Sequence, residues 1–337
     1  MRKRRTRSAR SQPDKTVVVG DLNGADDVLI DLLHGTGLID RRRRWIGGAS
    51  RLVQMGDLFN RGGGALRALR LLLALRPQAR RAGGDVTLLL GNHEVMTALR
   101  NEAYCTEDEY LAFATAKQRR EWPARVRQAL IRLARTRTGG VVLPIAPRLE
   151  AWKLAHVPGK RAMRRALAAN TTLGRALRAM PIVHVAHEAV FVHGGLLPEW
   201  ARLGVEELNR VGRQAWAEAG TALWSVPRSH LFRRPDGPLW DRSLAAGTRA
   251  SRANLRLSLR LLGARRMIIG HTQTSSLRGG ETGKIAMVDG SRLVLVDVGL
   301  RSGPGTPRAA LILSGSRGVE WTPAGTRLLW DDTRDGA

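Results

Sequence analysis

Short apolar runs in this sequence repeatedly end at a glycine that is followed at once by polar residues. The clearest run spans residues 86–90 and precedes Gly-Asn-His-Glu at 91–94. The same pattern occurs twice earlier, with residues 16–19 before Asp21 and residues 52–55 before Asp57. Buried strands that deliver polar groups at their carboxyl ends are where open α/β sheets place their sites. Turn chemistry alone does not require an aspartate after every strand.

Amphipathic segments separate these runs and predict helices. One helical face collects Val28, Leu29, Leu32 and Leu33. A second helix follows Asp57 and its loop, and Pro77 is expected to end it because proline lacks the N–H that a helix needs. Further strand-like runs end in His193, His271 and Asp297. The alternation of strands and helices predicts an α/β fold.

The domain organisation follows from changes in composition along the chain. Residues 1–15 are basic and lack periodicity, which predicts a flexible tail. Residues 16–325 are expected to form a single domain, with a helical elaboration at about 101–180 where the strand pattern stops. Residues 326–337 carry no site signal, and we expect a loose C-terminal tail.

The formal net charge of +27 allows two interpretations. A basic surface attracts nucleic acid by releasing counterions, so non-specific nucleic-acid contact stays open. Only six of the 56 basic residues are lysines, however, and arginines recur along the whole chain. Aromatic residues make up 4% of the sequence and provide little material for stacking on bases. We therefore favour a solvated basic surface that would still steer anionic substrates.

Other features of the sequence point to the cytoplasm. Cys105 is the only cysteine, which excludes an intramolecular disulfide and fits a reducing compartment. No run approaches the roughly 18 apolar residues of a membrane helix, and no apolar segment of a signal peptide follows the basic N-terminus. We expect no membrane partner, and the sequence leaves the oligomeric state open.

The polar residues at the strand ends are suited to binding divalent metal ions. They are Asp21, Asn23, Asp57, Asn92, His193 and His271. This mixture of oxygen and imidazole donors suits Mn²⁺, Fe, Zn²⁺ or Mg²⁺. A carboxylate such as Asp57 can bridge two ions roughly 3.5–4 Å apart, which is the arrangement used for phosphoester hydrolysis.

Five motifs in order carry a resemblance to a known family. They are Gly-Asp-x-Asn-Gly, Gly-Asp-x-x-Asn-Arg-Gly, Gly-Asn-His-Glu, His-Gly-Gly and Gly-His-Thr. Together they resemble the calcineurin-like metallophosphoesterases of the phosphoprotein-phosphatase type. The segments at 45–57 and 237–242 are similar to its bacterial Shewanella-like branch. The resemblance covers about residues 16 to 300 and implies a four-layer sandwich, in which two mixed β-sheets are flanked by helices.

The resemblance also implies roles for individual residues. Asp21, Asn23 and Asp57 would hold one metal ion, and Asp57, Asn92, His193 and His271 would hold the other. Arg61, Arg242 and Asn92 would bind the substrate phosphate. His93 would be the general acid that protonates the leaving group, assisted by Asn60. Water bridging the two ions would then attack the phosphorus; Mn²⁺ is the ion most expected in vitro.

Two residues depart from the family pattern. Asn23 stands where relatives have a histidine ligand, and an amide oxygen is a weaker donor for a transition metal. Asn60 stands where relatives place the aspartate that pairs with the catalytic histidine. An amide accepts the ring N–H but brings no charge to stabilise the imidazolium.

The leading hypothesis is a metal-dependent phosphatase that hydrolyses phosphomonoesters in proteins or small molecules. Two alternatives stay open. One is a nucleotide phosphohydrolase that resembles the diadenosine tetraphosphatases. The other is a non-catalytic relative that binds phosphate or nucleic acid, although the retained set of candidate ligands favours catalysis.

Overall fold

Within residues 15–135 and 144–333, which the computed structural model describes, eleven strands form two mixed β-sheets. The strands are β1 Lys15–Val19, β2 Arg51–Gln54, β3 Asp85–Leu88, β4 Val183–Ala186, β5 Ala189–Val192, β6 Arg266–Ile269, β7 Ala286–Val288, β8 Leu293–Leu295, β9 Ala310–Ser314, β10 Arg317–Thr322 and β11 Gly325–Asp331. The first sheet has the order β11-β10-β9-β1-β2-β3, and the second has the order β4-β5-β6-β8-β7.

Helices flank both sheets. They are α1 Asp26–Gly35, α2 Ala65–Arg81, α3 Asn92–Ala98, α4 Glu107–Leu111, α5 Ala116–Arg135, α6 Ile145–His156, α7 Lys160–Ala166, α8 Thr172–Arg178, α9 Pro198–Ala201, α10 Gly204–Glu218 and α11 Arg249–Leu262. The buried face of α1 consists of the four residues predicted from the sequence. The predicted fold, an α/β sandwich of two mixed sheets with helices outside, is confirmed.

Each sheet has a parallel centre, so the carboxyl ends of its central strands meet at one edge. In the first sheet β1 pairs with β2, and β2 with β3, in parallel. In the second sheet β5, β6 and β8 are parallel in the same way. Antiparallel strands are added at the sides of both sheets. The polar residues after the central strands are therefore gathered along two edges.

The second sheet buries both of its faces, and the side chains alternate accordingly. Phe191, Ile268 and Val294 belong to the larger apolar core, which the first sheet shares. Their neighbours Val190 and Met267 point the other way, into a second core that includes residues of α10 and α11. Because successive side chains of a strand point to opposite faces, each central strand links the two cores.

Glycines allow the two sheet edges to approach closely. A Cβ atom on Gly20, the residue after β1, would lie 2.0 Å from the carbonyl oxygen of Val296 in the second sheet. A Cβ atom on Gly270, after β6, would lie 2.3 Å from Oδ1 of Asp21. Only glycine fits at these positions, and their backbones set the distance between the sheet edges.

Helices α4 to α8 occupy the segment predicted as a helical elaboration, except for residues 136–143, which lie outside the described residues. Trp122 of α5 stacks on Trp152 of α6, with ring centroids 5.6 Å apart. The predicted basic tail at 1–15 also lies outside the description, apart from Lys15 in β1. No helix among the described residues is long and apolar enough to cross a bilayer.

Two expectations from the sequence are wrong. The loose tail predicted for 326–337 contains β11, whose residues through Asp331 pair with β10. The strand is weakly patterned because it closes a sheet edge and leaves several side chains exposed.

Pro77 does not end α2, which continues to Arg81. The proline lies on the exposed side, where a free carbonyl can bind water, while Leu75 and Ala79 continue the buried face.

Removal of β11 is expected to destabilise the protein. A chain that stops after Ala324 loses the pairing of β10 and the contact of Trp330 with Arg266, 4.6 Å from guanidinium to ring. We expect the melting temperature to fall by about 3 °C or more, because an exposed strand edge and a lost aromatic contact together cost about 2 kcal/mol or more. Thermal unfolding measures the change. A control chain that stops after Thr333 retains β11 and should melt like the full chain; equal melting temperatures for both truncations would contradict the prediction.

Candidate metal centre and active site

The two sheet edges enclose one polar cavity of about 240 Å³. Its walls are Asp21, Asn23, Asp57, Arg61, Asn92, His93, Tyr104, Trp240, Arg242, His271, Gln273, Ser276 and Asp297. Eight of the ten residues predicted for the site line this cavity. The other two, Asn60 and His193, lie behind the wall and contact it through His93 and Asn92.

Asp57 is the centre of the constellation. Its side chain is buried, and its Oδ1 accepts a hydrogen bond from the backbone N–H of His93 at 2.9 Å. One ligand atom each of Asp57, His193 and His271 can be chosen so that all three lie within 4.8 Å of one another. Nε2 of His193 is 3.3 Å from Oδ1 of Asp57 and 2.9 Å from Oδ1 of Asn92.

The orientation of His193 fits a metal ligand. Its Nδ1 lies 2.8 Å from the carbonyl oxygen of Met55, so that nitrogen carries the proton and donates it. The other nitrogen, Nε2, faces Asp57 and Asn92, and a metal ion bound there would take the place of its proton. A metal-binding histidine usually donates a hydrogen bond from its other ring nitrogen, and this bond fixes the tautomer.

Two buried atoms at the cavity have no hydrogen-bond partner in the described residues. They are Nε2 of His271 and Oδ1 of Asn23. A buried polar atom without a partner costs free energy unless an ion or water satisfies it. Both atoms are lone-pair donors, and both belong to predicted ligands. The residues present therefore fit a divalent metal centre.

The electrostatics of the centre also favour a cation. Burial and the negative charge of Asp297 raise the pKa of Asp21 well above its usual value. Burial raises the pKa of Asp297 itself to about 6. Burial would raise the pKa of Asp57 too, but the positive charges of His193 and His93 outweigh it and lower that pKa. Three carboxylates in one buried place repel one another, and bound cations would relieve that repulsion.

The histidines respond to the same surroundings in opposite ways. Burial alone would lower the pKa of His193, but the charges of Asp57 and Asp21 outweigh burial and raise it to about 10. Burial and the charge of His193 lower the pKa of His271 to about 2. Burial also lowers the pKa of His93, which the charge of Asp57 only partly opposes.

The backbone at the site adopts a conformation that side chains disfavour. Positive φ angles between 47° and 69° occur at Asn23, Asp57, Asn60, Arg61 and His271. This left-handed region is uncommon outside glycine, and such residues persist only where the surroundings enforce it. Asparagine tolerates this conformation better than most residues, and two of the five positions are asparagine.

Glu94 holds this backbone in place. Its carboxylate is fully buried and accepts hydrogen bonds from the N–H groups of Asp57 at 2.8 Å, Leu58 at 2.7 Å and Gly91 at 2.9 Å. The last of these bonds is half of a capping box at the start of α3. Glu94 therefore joins the loops after β2 and β3.

His93 lies at the start of α3 with its ring between polar partners. Its Nδ1 is 2.6 Å from Oδ1 of Asn60, and its Nε2 is 3.7 Å from Oδ2 of Asp57. The ring of Tyr104 packs beside it, with centroids 5.2 Å apart, and the guanidinium of Arg61 lies 5.4 Å above the same tyrosine. Arg242 also lines the cavity and donates a hydrogen bond to the carbonyl oxygen of His271. Both arginines are exposed at the mouth.

Six residues at or near the cavity were not assigned as site residues from the sequence: Tyr104, Trp240, Gln273, Ser276 and Asp297, which line it, and Glu109 behind them. Asp297 follows a central strand as Asp21 and Asp57 do, so its position after a strand was the available signal. Tyr104 and Glu109 come from the helical elaboration, where no local pattern marks them. Burial raises the pKa of Glu109 to about 7, while hydrogen bonds from Asn60 oppose that rise. Only the folded structure brings Tyr104 and Glu109 to the site.

A model of the calcineurin-like phosphoesterases matches residues 15–274, and the chain belongs to this family. It is 29% identical over 304 residues to Shewanella-like protein phosphatase 2 of Arabidopsis thaliana, which covers 87% of this chain and 73% of that protein. An 80-residue stretch is 35% identical to Shewanella-like protein phosphatase 1 of Plasmodium berghei and covers 24% of this chain and 22% of that protein. The predicted resemblance is confirmed, and the chain is a hydrolase of the metallophosphoesterase class.

Solved structures agree on the fold. The chain is similar to a cold-active protein-tyrosine phosphatase of a Shewanella species, with a TM-score of 0.68, 23% identity, and coverage of 95% of this chain and 81% of that one. It is also similar to a protein serine/threonine phosphatase of Saccharomyces cerevisiae, with a TM-score of 0.51, 16% identity, and coverage of 91% and 75%.

Replacement of Asn23 by histidine is expected to strengthen metal binding. An imidazole is a better donor than an amide oxygen for Mn²⁺ or Zn²⁺, and we expect the weaker of the two sites to gain affinity by about tenfold. Calorimetric titration of metal-free protein measures it. Asn170→His, which adds a histidine at an exposed position, should leave both affinities unchanged. Equal affinities for Asn23→His and wild type would contradict the assignment of Asn23 as a ligand.

Proposed function

We propose that this protein is a metal-dependent phosphatase that hydrolyses phosphomonoesters, with phosphorylated proteins as its substrates. The observation that carries the proposal is the convergence of Asp57, His193 and His271 with a buried histidine, His93, and two arginines at one cavity. Family membership supports the hydrolysis of a phosphoester. The single cysteine supports the cytoplasm as the place where the protein acts.

The candidate ligands divide into two groups that share Asp57. Asp21, Asn23 and Asp57 come from the first sheet and would hold one ion. Asp57, Asn92, His193 and His271 join both sheets and would hold the second. Divalent ions in these positions would supply Lewis-acid charge that activates water and neutralises the phosphoryl oxygens. Mn²⁺ is the ion we would add first, and Fe, Zn²⁺ and Mg²⁺ suit the same donors.

The protein's own groups then bind the phosphoryl group and complete the reaction. Arg61 and Arg242 both line the cavity, where their planar guanidinium groups can each donate two hydrogen bonds to phosphoryl oxygens. The amide of Asn92 is buried and lines the same cavity. Nε2 of His93 faces the cavity, and its proton would pass to the leaving oxygen as the P–O bond breaks.

A second cavity beside the metal centre supports a polypeptide substrate. It has a volume of about 430 Å³ and shares Trp240, Arg242 and His271 with the first. Trp224, 67% exposed, and Leu223 form an apolar wall. A small phosphate ester would leave this space empty, whereas the residues beside a phosphorylated side chain would fill it.

The charges of the second cavity favour an acidic segment. Arg228, Arg233 and Arg242 line it, and no acidic residue is among its walls. The guanidinium of Arg233 stacks on Trp224, 4.8 Å from the ring, and is thereby held at the wall. An aspartate or glutamate next to the phosphorylated residue would meet these charges as it leaves the catalytic cavity.

Replacement of His93 by asparagine is expected to abolish most of the activity. General acid catalysis contributes about 10²–10⁴-fold, so we expect kcat for phenyl phosphate with Mn²⁺ to fall by at least about 100-fold. A phosphate-release assay measures it. His34→Asn removes an exposed histidine and should retain full activity.

The same assay separates the alternative functions. Phosphopeptides and diadenosine tetraphosphate are offered beside phenyl phosphate at equal concentrations. Hydrolysis of diadenosine tetraphosphate well above that of the phosphopeptides would overturn the proposed substrate class. Absence of hydrolysis of all three substrates with any of the four metals would overturn the proposed function itself.

Replacement of Trp224 by alanine is expected to weaken binding of phosphopeptides. Exposed aromatic anchors typically contribute more than about 1 kcal/mol, so we expect KM for an acidic phosphopeptide to rise about fivefold or more. The kcat/KM for glycerol 2-phosphate, which is too small to reach this wall, should stay unchanged. Leu328→Ala removes an exposed apolar residue of β11 and is the control. A rise in KM for both substrates would contradict a role for Trp224 in peptide binding.

A further inference from the structure

Asn60 is a fully buried amide that contacts three titratable side chains, those of His93, Glu109 and Cys105, whose Sγ is 3.1 Å from Nδ2 of Asn60. Its Oδ1 lies 2.6 Å from Nδ1 of His93, and its Nδ2 donates to Oε2 of Glu109 at 3.3 Å. The backbone N–H of the same asparagine donates to Oε1 of Glu109 at 2.8 Å. Glu109 therefore accepts two hydrogen bonds from Asn60, and Asn60 lies between Glu109 and the catalytic histidine.

Glu109 reaches this position from α4, in the helical elaboration. Thr106 caps that helix by accepting from the backbone N–H of Glu109, which aims the side chain inward. The carboxylate is 1% exposed, and the described ion pairs of the chain give it no lysine or arginine partner. Burial of a carboxylate without a cation costs free energy of folding. Stability alone therefore does not explain why Glu109 is buried beside Asn60.

We propose that Glu109 is a positioning residue that supplies, through Asn60, the negative charge that His93 lacks. The pair of Asn60 and Glu109 would then replace a carboxylate in direct contact with His93. The charge would be on Glu109, and Asn60 would link it to the ring. This inference rests on the proposed function, in which His93 is the general acid.

The geometry provides two effects. At a pH above its raised pKa of about 7, the Glu109 carboxylate is ionised and only accepts hydrogen bonds. It then requires the Nδ2 of Asn60 on its side and turns Oδ1 of Asn60 toward His93. The reversed amide would point its oxygen at the carboxylate and its NH₂ group at the N–H of the imidazole. Hydrogen bonds in a chain also polarise one another, so the charge of Glu109 increases the negative charge on Oδ1 of Asn60.

The proton balance is simple. As the P–O bond breaks, Nε2 of His93 gives its proton to the leaving oxygen. Nδ1 keeps its proton and continues to donate it to Asn60. Glu109 neither gains nor loses a proton, and its charge stabilises the protonated ring before transfer.

Exchanging the two functional groups tests the proposal. Asn60→Asp combined with Glu109→Gln keeps one amide and one carboxylate but moves the charge next to His93. Each single variant breaks the pattern: Glu109→Gln removes the charge, and Asn60→Asp places two carboxylates in contact. The measurement is kcat with Mn²⁺ at a pH above 7, where Glu109 is ionised. The substrates are phenyl phosphate, which has a poor leaving group, and p-nitrophenyl phosphate, whose leaving group needs little protonation.

The expected results depend on the leaving group. For Glu109→Gln we expect kcat to fall about tenfold or more for phenyl phosphate and less than about threefold for p-nitrophenyl phosphate. The double variant should return to within about threefold of wild type with both substrates, because it restores one charge in the network. Equal losses with both substrates, or a double variant no better than the product of the singles, would overturn the proposal.

A neutral contact to the same amide provides the matched control. Nδ2 of Asn60 also lies 3.1 Å from Oγ1 of Thr97, so Thr97→Val removes one of its hydrogen bonds without changing charge. We expect a small loss that is equal for the two substrates; a loss confined to phenyl phosphate would overturn the role of charge. Thermal unfolding and Mn²⁺ titration verify that every variant folds and binds metal. An inactive wild type would instead reject the proposed function and not this relay alone.

Discussion

The hydrogen bonds of Glu94 are the interaction on which the rest of the centre depends. A single buried carboxylate satisfies three backbone N–H groups from the loops after β2 and β3. Each of these groups would cost about 1–3 kcal/mol if it were buried without a partner. The same bonds hold Asp57 at a positive φ angle, with its side chain toward the cavity and its carbonyl toward the loop after β1. The strained backbone exists because Glu94 stabilises it.

Much of the fold and of the candidate site could be predicted because the signals are local. A buried strand, a glycine and a polar residue follow one another within a few positions, and parallel pairing then brings the strand ends together. Asp57 and His193 could be assigned in this way although they are distant in the sequence. The glycines add a second local signal, since Gly20 and Gly270 have no room for a side chain.

The remaining features depend on contacts between distant segments and could not be predicted. Glu109 and Asn60 are 49 positions apart, and nothing near either residue indicates the other. The strand β11 forms by pairing with the open edge of β10. Its own sequence has no apolar pattern of a buried strand and therefore resembles a tail. Pro77 breaks no helix because its side faces solvent, which is a property of packing and not of proline. Asp297 was visible as a strand end, but its charge matters only beside Asp21.

The candidate ligands are divided between the two sheets, and this division couples metal binding to the packing of the whole domain. Asp21 and Asp57 belong to one sheet edge, whereas His193 and His271 belong to the other. An ion bound by residues of both sheet edges would be released whenever the protein unfolds or the two sheets separate. By mass action, an ion at one hundred times its dissociation constant adds about 2.7 kcal/mol to the free energy of unfolding. The availability of metal in the surroundings would thus affect the thermodynamic stability of the folded chain as well as its activity.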